Sequence, residues 1–209
     1  MSDASLTIGD VNQIKQAPVQ GLLPAIAHRW SPRSFAETPV RPEDLETVLE
    51  AARWAASSSN AQPWRFLVGV QGSETHAKIF STLVAFNQSW AGRAPVLILG
   101  FALLKNDKGA PNHYALYDLG QAVGTLVVQA AALGLATHQM GGFDHAAARL
   151  AFGLTQDHGT GSVIALGYQA EPAALLHDQL IERELAPRER KSLREIALAA
   201  LDTPFVFGA

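Results

Sequence analysis

The sequence predicts a single domain of mixed helix and strand, built around one long buried helix. Three observations carry this. Ala94-Pro95-Val96-Leu97-Ile98-Leu99-Gly100-Phe101 is a near-continuous apolar run of strand length, as in a strand covered on both faces. Leu116–Leu133 is apolar around most of a helical circumference, through Leu119, Val123, Leu126, Val127, Ala130, Ala131 and Leu133. Such a helix must be buried on several sides, which in a chain of this size points to a second subunit as well as its own domain. Finally, 48% of the 209 residues are hydrophobic, enough for one substantial core.

In chain order, residues 1–20 are polar and without period, and read as a flexible N-terminal arm; 21–209 read as the domain. Leu22, Leu23, Ile26 and Ala27 share a helical face, with Pro24 acceptable in a first turn. His28 and Arg29 would end that helix, where cations suit its dipole. Trp30-Ser31-Pro32-Arg33-Ser34-Phe35 follows, either a helix-ending loop with solvated arginines or an anion site of guanidiniums and hydroxyls. Pro42, Glu43 and Asp44 open a helix whose stripe is Leu45, Val48, Leu49 and Ala52. It empties into Ala56-Ser57-Ser58-Ser59-Asn60-Ala61-Gln62-Pro63-Trp64, whose short polar side chains bond backbone and ligand edges more readily than they build helix.

Arg65–Val70 reads as a strand, Gly72-Ser73 as a turn and Glu74–Phe86 as a helix. Lys105–Asn112 is a polar loop, and Gly134 is placed to cap the long helix. Thr137-His138-Gln139-Met140-Gly141-Gly142-Phe143 reads as a loop, and Asp144 as the cap of a short helix ending before Gly153. Ser162–Tyr168 is a third strand, Glu171–Pro187 a connection, and Arg188-Glu189-Arg190-Lys191 a compact basic cluster. The apolar tail Pro204-Phe205-Val206-Phe207 would be a sticky edge in water, so it is expected to cover a neighbouring surface.

Composition narrows the function. Without cysteine there are no disulfides, no thiol catalysis and no cysteine-held metal. A net charge of −3 and the lack of a basic stripe argue against nucleic acid. No run spans a membrane and no signal peptide is evident, so a cytoplasmic location is the default expectation. The serine-elbow, zinc-protease, phosphate-loop and dinucleotide fingerprints are missing. None of the seven histidines pairs at i, i+4, so no metal site is expected. What remains is a set of polar and basic loops without an evident nucleophile or base, the pattern of a protein that delegates its chemistry to a cofactor. A flat ring bearing a phosphate would use that set well: arginines and serines for the phosphate, amides for the ring edge, glycines for close backbone approach.

These residues resemble the FMN-dependent nitroreductases, over about Leu22 to Ile196. His28-Arg29-Trp30-Ser31-Pro32-Arg33-Ser34-Phe35 resembles that family's RRSxRxF opening, and Ala56 to Trp64 its PSSxNxQPW loop. Phe86-Asn87, Leu133-Gly134-Leu135, Gly141-Gly142-Phe143, Phe152-Gly153-Leu154 and the Arg188/Arg190 pair follow in family order. The resemblance implies an α+β fold, with a mostly antiparallel sheet flanked by helices. It also implies an intertwined homodimer about the long helix, with FMN at the subunit interface. Arg29, Trp30, Ser31 and Arg33 would then hold FMN from one side, and Arg188 and Arg190 its phosphate end. Arg33 and Asn87 would face the pyrimidine end, and Met140, Gly141 and Gly142 the reactive N5. Ala56, Ser57, Ser58 and Asn60 would reach the partner's flavin, and the apolar tail would wrap the other subunit.

The chain departs from the family pattern at four places. Ala56 replaces a proline, Gly141 stands where many relatives have glutamate, and Trp90 takes a position that is basic in some relatives, leaving Arg33 as the cation near flavin N1. The Leu104–His113 connection is short where many relatives insert helices. The expected reaction takes hydride from NADH or NADPH and passes electrons to a small flat acceptor of nitroaromatic or quinone type, with no protein residue as acid or base. A dehydrogenase, oxidase or flavin-remodelling enzyme of the same fold is the alternative. A non-enzymatic flavin-binding module and a helical interaction protein that binds nothing are the others.

Overall fold

The structure, a computed structural model, describes residues 6–208. Its elements are α1 (Ile8–Lys15), α2 (Pro24–Ala27), α3 (Pro42–Arg53), β1 (Trp64–Val70), α4 (Glu74–Thr82), α5 (Ala85–Ala91) and β2 (Val96–Leu103). They continue as α6 (Ala115–Ala132), β3 (Ala136–Met140), α7 (His145–Phe152), β4 (His158–Gly167), α8 (Asp178–Leu185), α9 (Leu193–Ile196), β5 (Leu198–Ala200) and β6 (Thr203–Pro204). The main sheet runs β1-β2-β4-β3, each pair antiparallel, as an α+β class requires.

The apolar run at Val96 is central because both its faces are covered. Val96, Ile98 and Ala102, with Ile164 and Leu166 of β4, face a core built on α3 and α6. Leu97 and Leu99, with Val163 and Ala165, face a second core that includes Ile79 of α4, Trp90 of α5, Ala148 of α7 and Leu180 of α8. Side chains alternate across a strand, so an unbroken apolar sequence is what a strand between two helical layers needs.

Helix α3 begins with Pro42 in its first turn, and α7 is capped by Asp144 and closed by Gly153 at φ 64°. The long helix α6 buries one broad face, including Asp118, Leu119, Ala122, Val123, Leu126 and Ala130. Within the chain its other side is open: Leu116 and Tyr117 are more than half exposed. The several-sided burial expected of it is therefore not met inside one chain.

Five local expectations are corrected. The polar arm contains α1, whose Thr7–Asp10 capping box and buried Val11 dock it, while Trp30 Nε1 donates to Asn12 Oδ1 at 2.9 Å. The first five residues of that arm lie outside the described residues. The helix expected over Glu74–Phe86 is two helices. Leu83 is extended and bridges Phe143, and the Val84 N–H donates to the Gly142 carbonyl at 3.1 Å. The segment read as a loop at Thr137 is the edge strand β3, paired with β4 from Ala136↔Gly167 to Met140↔Val163. The connection after Glu171 contains α8, which buries Leu180 and Glu184. Of the helix expected from Leu22 through Ala27 only one turn forms, Pro24–Ala27, and Leu22, Leu23 and Ile26 stay exposed. No helix among the described residues is long and apolar enough to cross a membrane, and none of their His, Asp and Glu groups could hold a metal.

Candidate functional site

Two chain segments far apart in sequence build a basic cavity. The loop after α2 supplies Arg29, Trp30 and Ser31, and the segment after α8 supplies Pro187, Arg188, Glu189 and Arg190. With Lys15 of α1 they enclose about 310 Å³. Arg29 Nη1 donates to Ser31 Oγ at 3.4 Å. Arg188 latches the two segments, donating to the Ala27 carbonyl at 2.9 Å and to the Arg29 carbonyl. Burial, then the charges of Arg188 and Arg190, lowers the Arg29 pKa from its ordinary value. Among the described residues none of these three guanidiniums is in an ion pair. Converging guanidiniums that no carboxylate pairs suit an anion, which relieves their repulsion.

The break between α4 and α5 shapes a second part of the site. Asn87, on α5, donates through Nδ2 to the Gly142 carbonyl at 2.9 Å, leaving Oδ1 as an acceptor. A Cβ on Gly142 would stand 2.8 Å from that Nδ2, so the approach requires glycine there. At Gly141 a Cβ would meet nothing within 4 Å. Met140, at the end of β3, is buried against the core. Behind them His138 lies against Trp90, ring centroids 4.6 Å apart, with its Nδ1 2.9 Å from the Pro32 carbonyl. Burial, aided by the Arg33 charge, pushes the His138 pKa down to about 4, so the ring is neutral at pH 7.

That depression makes a testable contribution to stability. The unfolded histidine takes a proton near 6.5 while the folded one resists until about 4. Stability is therefore complete above pH 6.5 and falls as pH drops toward 4, by about 3 kcal/mol over the window. His138→Gln, which retains an N–H for Pro32, is expected to flatten the melting temperature between pH 7 and 5; an unchanged slope would count against this assignment.

Arg33 is half-buried, its Nε lacks a hydrogen-bond partner, and the guanidinium is in no ion pair among the described residues. Its backbone is held from a direction the sequence does not reveal. Glu184 of α8, fully buried, accepts from the Arg33 N–H at 3.0 and 3.1 Å and from the Ser34 N–H at 3.1 Å. A second buried carboxylate does the same for the serine-rich loop: Asp118 of α6 accepts from the Ser58 N–H at 3.1 Å. That loop folds as a tight turn with Ser59 (φ 51°), Asn60 (φ 55°) and Gln62 (φ 45°) in the left-handed region. Such backbone strain in non-glycine residues persists only where surroundings enforce it, and it concentrates at functional sites. Gln62 N–H donates to Ser57 Oγ at 3.0 Å, a further tie.

The expected site residues thus fall into separate groups. Arg29, Trp30, Ser31, Arg188 and Arg190 share the basic cavity, and Asn87 is joined to Gly142 beside Gly141 and Met140. Asn60 instead lines a different cavity of about 580 Å³, with Arg53, Gln62, Trp64 and Arg65. Ala56 is exposed, and Ser57 and Ser58 are half-buried. Glu184 and Asp118 were not singled out in the sequence, because each acts on a loop 150 or 60 positions away. A buried acid on the apolar side of a helix was the signal available for Asp118; for Glu184 the helix itself went unread.

Comparison with known proteins gives a consistent picture. The Nitroreductase family model matches residues 26–85 and 70–168. A crystal structure of an oxidoreductase containing FMN is 32% identical, with a TM-score of 0.83 over 91% of this chain and 97% of the other. A Desulfovibrio desulfuricans structure, described as a nitroreductase in complex with FMN, is 25% identical, with a TM-score of 0.68 over 87% and 96% of the two chains. An NADH dehydrogenase of Thermus thermophilus is 28% identical, covering 79% of this chain and 95% of its own.

Proposed function

The chain belongs to the nitroreductase family, and from that premise we propose that it is an FMN-dependent oxidoreductase. In this reading NADH or NADPH is the reductant and a small flat molecule, such as a nitroaromatic or quinone, is the acceptor. The observation that carries the reading is the basic cavity: Arg29, Arg188 and Arg190 converge beside Ser31 without a carboxylate partner among the described residues. It fits the phosphate of FMN, because a dianion satisfies several guanidiniums that are otherwise in mutual repulsion. When bound, the flavin supplies the electron-transfer chemistry, which no side chain of this protein offers.

The chain's own residues bind and orient. Arg29, Ser31 and Arg190 hold the phosphate, and Arg188 fixes the carbonyls beneath it. Asn87 Oδ1 is free to accept from a ring N–H, since its amide nitrogen is committed to Gly142. Arg33, with its unpartnered Nε, would bring positive charge to the pyrimidine edge and favour the reduced ring. The Met140–Gly142 backbone would border the bound ring, and its glycines would leave room for a flat acceptor. Neutral His138 lends no charge to this region at pH 7.

The functional unit in this proposal is a homodimer. Asn60, at the end of the serine-rich loop, lines a cavity apart from the arginine cluster, as a loop serving a second copy's flavin would. The open face of α6 and the exposed Phe205, Val206 and Phe207 offer apolar surface for that association.

The test is a visible spectrum. Purified protein incubated with FMN and desalted is expected to retain about one flavin per chain. NADH or NADPH should bleach it without oxygen, and a quinone should restore the colour. Protein that takes up no FMN would overturn the proposal. FMN uptake without bleaching by either nucleotide would leave a flavin-binding module in its place.

A further inference from the structure

We propose that Glu184 is a positioning residue of the flavin site, which fixes the Arg33–Ser34 backbone and offsets the Arg33 guanidinium with its own charge. The inference rests on the flavin reading above and adds a determinant of the flavin's redox potential.

Glu184 is fully buried on α8, among hydrophobic neighbours that include Leu180 and Ile181. Both its oxygens are used: Oε1 accepts from the Arg33 and Ser34 N–H groups, and Oε2 from the Arg33 N–H. The loop so held is locked again from the other side, where Ser34 Oγ donates to the Glu171 carbonyl at 2.6 Å. The cations facing the carboxylate are Arg33, from that loop, and Lys15, from α1. Neither lies within ion-pair distance among the described residues. Lys15 Nζ is committed elsewhere, donating to the Arg183 carbonyl at 3.2 Å and to the Ala186 carbonyl at the end of α8. Arg33 is thus the guanidinium whose field Glu184 most directly answers, and the charge of Glu184 in turn supports the Arg33 cation.

A glutamine could satisfy the same two N–H groups through its carbonyl oxygen. A glutamate there accepts a desolvation penalty, which pushes its pKa up against the N–H bonds and the nearby cations. What it adds over glutamine is negative charge beside Arg33. Oxidised flavin has a neutral ring, whereas the reduced ring carries a negative charge that Arg33 favours. Glu184 weakens that preference, keeping the potential low and the reduced ring a strong donor.

The experiment compares FMN-loaded wild type, Glu184→Gln and Glu184→Asp by FMN affinity and spectroelectrochemical midpoint potential. Glu184→Gln keeps an acceptor and loses the charge. It is expected to bind FMN and to favour the reduced flavin over the oxidised by about tenfold more than wild type, an upward shift of about 30 mV for a two-electron couple. Glu184→Asp keeps the charge but draws it back from the loop, so FMN affinity should fall and the potential should rise by less than in the Gln variant. A merely structural Glu184 would leave the potential of the Gln variant unchanged, and that result, or a downward shift, overturns the proposal. Should the Gln variant not fold, the Asp variant decides: a small upward shift in potential supports the assignment, and an unchanged or lowered potential overturns it. Wild-type protein that takes up no FMN at all is a different failure, of the flavin reading itself, and removes both.

Discussion

Alanine at both Arg29 and Arg190 is expected to weaken FMN by roughly 100-fold to 10,000-fold while leaving riboflavin within about tenfold of wild type. Each charge-assisted bond to a phosphate contributes about 1.5–3 kcal/mol, and the two changes remove a pair of them. Riboflavin has the same ring and no phosphate, so it reports the ring contacts alone. Neither arginine is in an ion pair among the described residues, and both border the basic cavity. Burial, and then repulsion from Arg188 and Arg190, depresses the Arg29 pKa; removing the buried and mutually repelling charges means the melting temperature of the flavin-free protein should hold or rise. Arg188→Ala should behave differently. Its guanidinium ties down the carbonyls of Ala27 and Arg29, so its loss should loosen the loop and weaken both ligands. Titration by flavin fluorescence quenching separates these patterns; equal losses of FMN and riboflavin in the double variant would place the phosphate elsewhere.

Local signals in the sequence were those with local causes. Pro42 and the acids after it start α3, Asp144 and Gly153 bound α7, and Gly134 follows α6 with φ 75°. In each case the residue type solves a problem of backbone geometry within one turn. The misread segments are those decided by distant partners. Nothing near Leu83 dictates that a helix stop there; the stop is a bridge to Phe143 and a bond to the Gly142 carbonyl. β3 is spelled with Thr137, His138 and Gln139, and only its pairing with β4 makes it a strand. At α8, Pro172 and Pro187 on either side and the acids within mask a helix that buries Leu180 and Glu184. The site followed the same division. Arginines, serines and glycines stood out in short motifs, whereas the carboxylates that hold their loops lie on other elements. The interruption between α4 and α5 belongs to function as well as fold, since it sets Asn87 against Gly142.

Gly142→Ala is accordingly expected to weaken FMN by at least about tenfold and to destabilise the fold by about 1–3 kcal/mol, as overpacking does. Gly141→Ala, one position away, should leave the melting temperature of the flavin-free protein unchanged. The added methyl at 142 would lie 2.8 Å from Asn87 Nδ2 and 3.1 Å from Val84 Cγ2. The Asn87 amide must then rotate, giving up its bond to the Gly142 carbonyl and redirecting Oδ1, or the strand-like segment at Leu83–Val84 must shift. Either movement reaches the ring's polar edge. At 141 the methyl enters open space, so the same change in residue type tests composition without geometry. Thermal melts and FMN titrations on the two variants measure the contrast. If the Gly142 variant matched the Gly141 variant in melting temperature and wild type in FMN affinity, the Asn87–Gly142 contact would not be what shapes this edge of the flavin site.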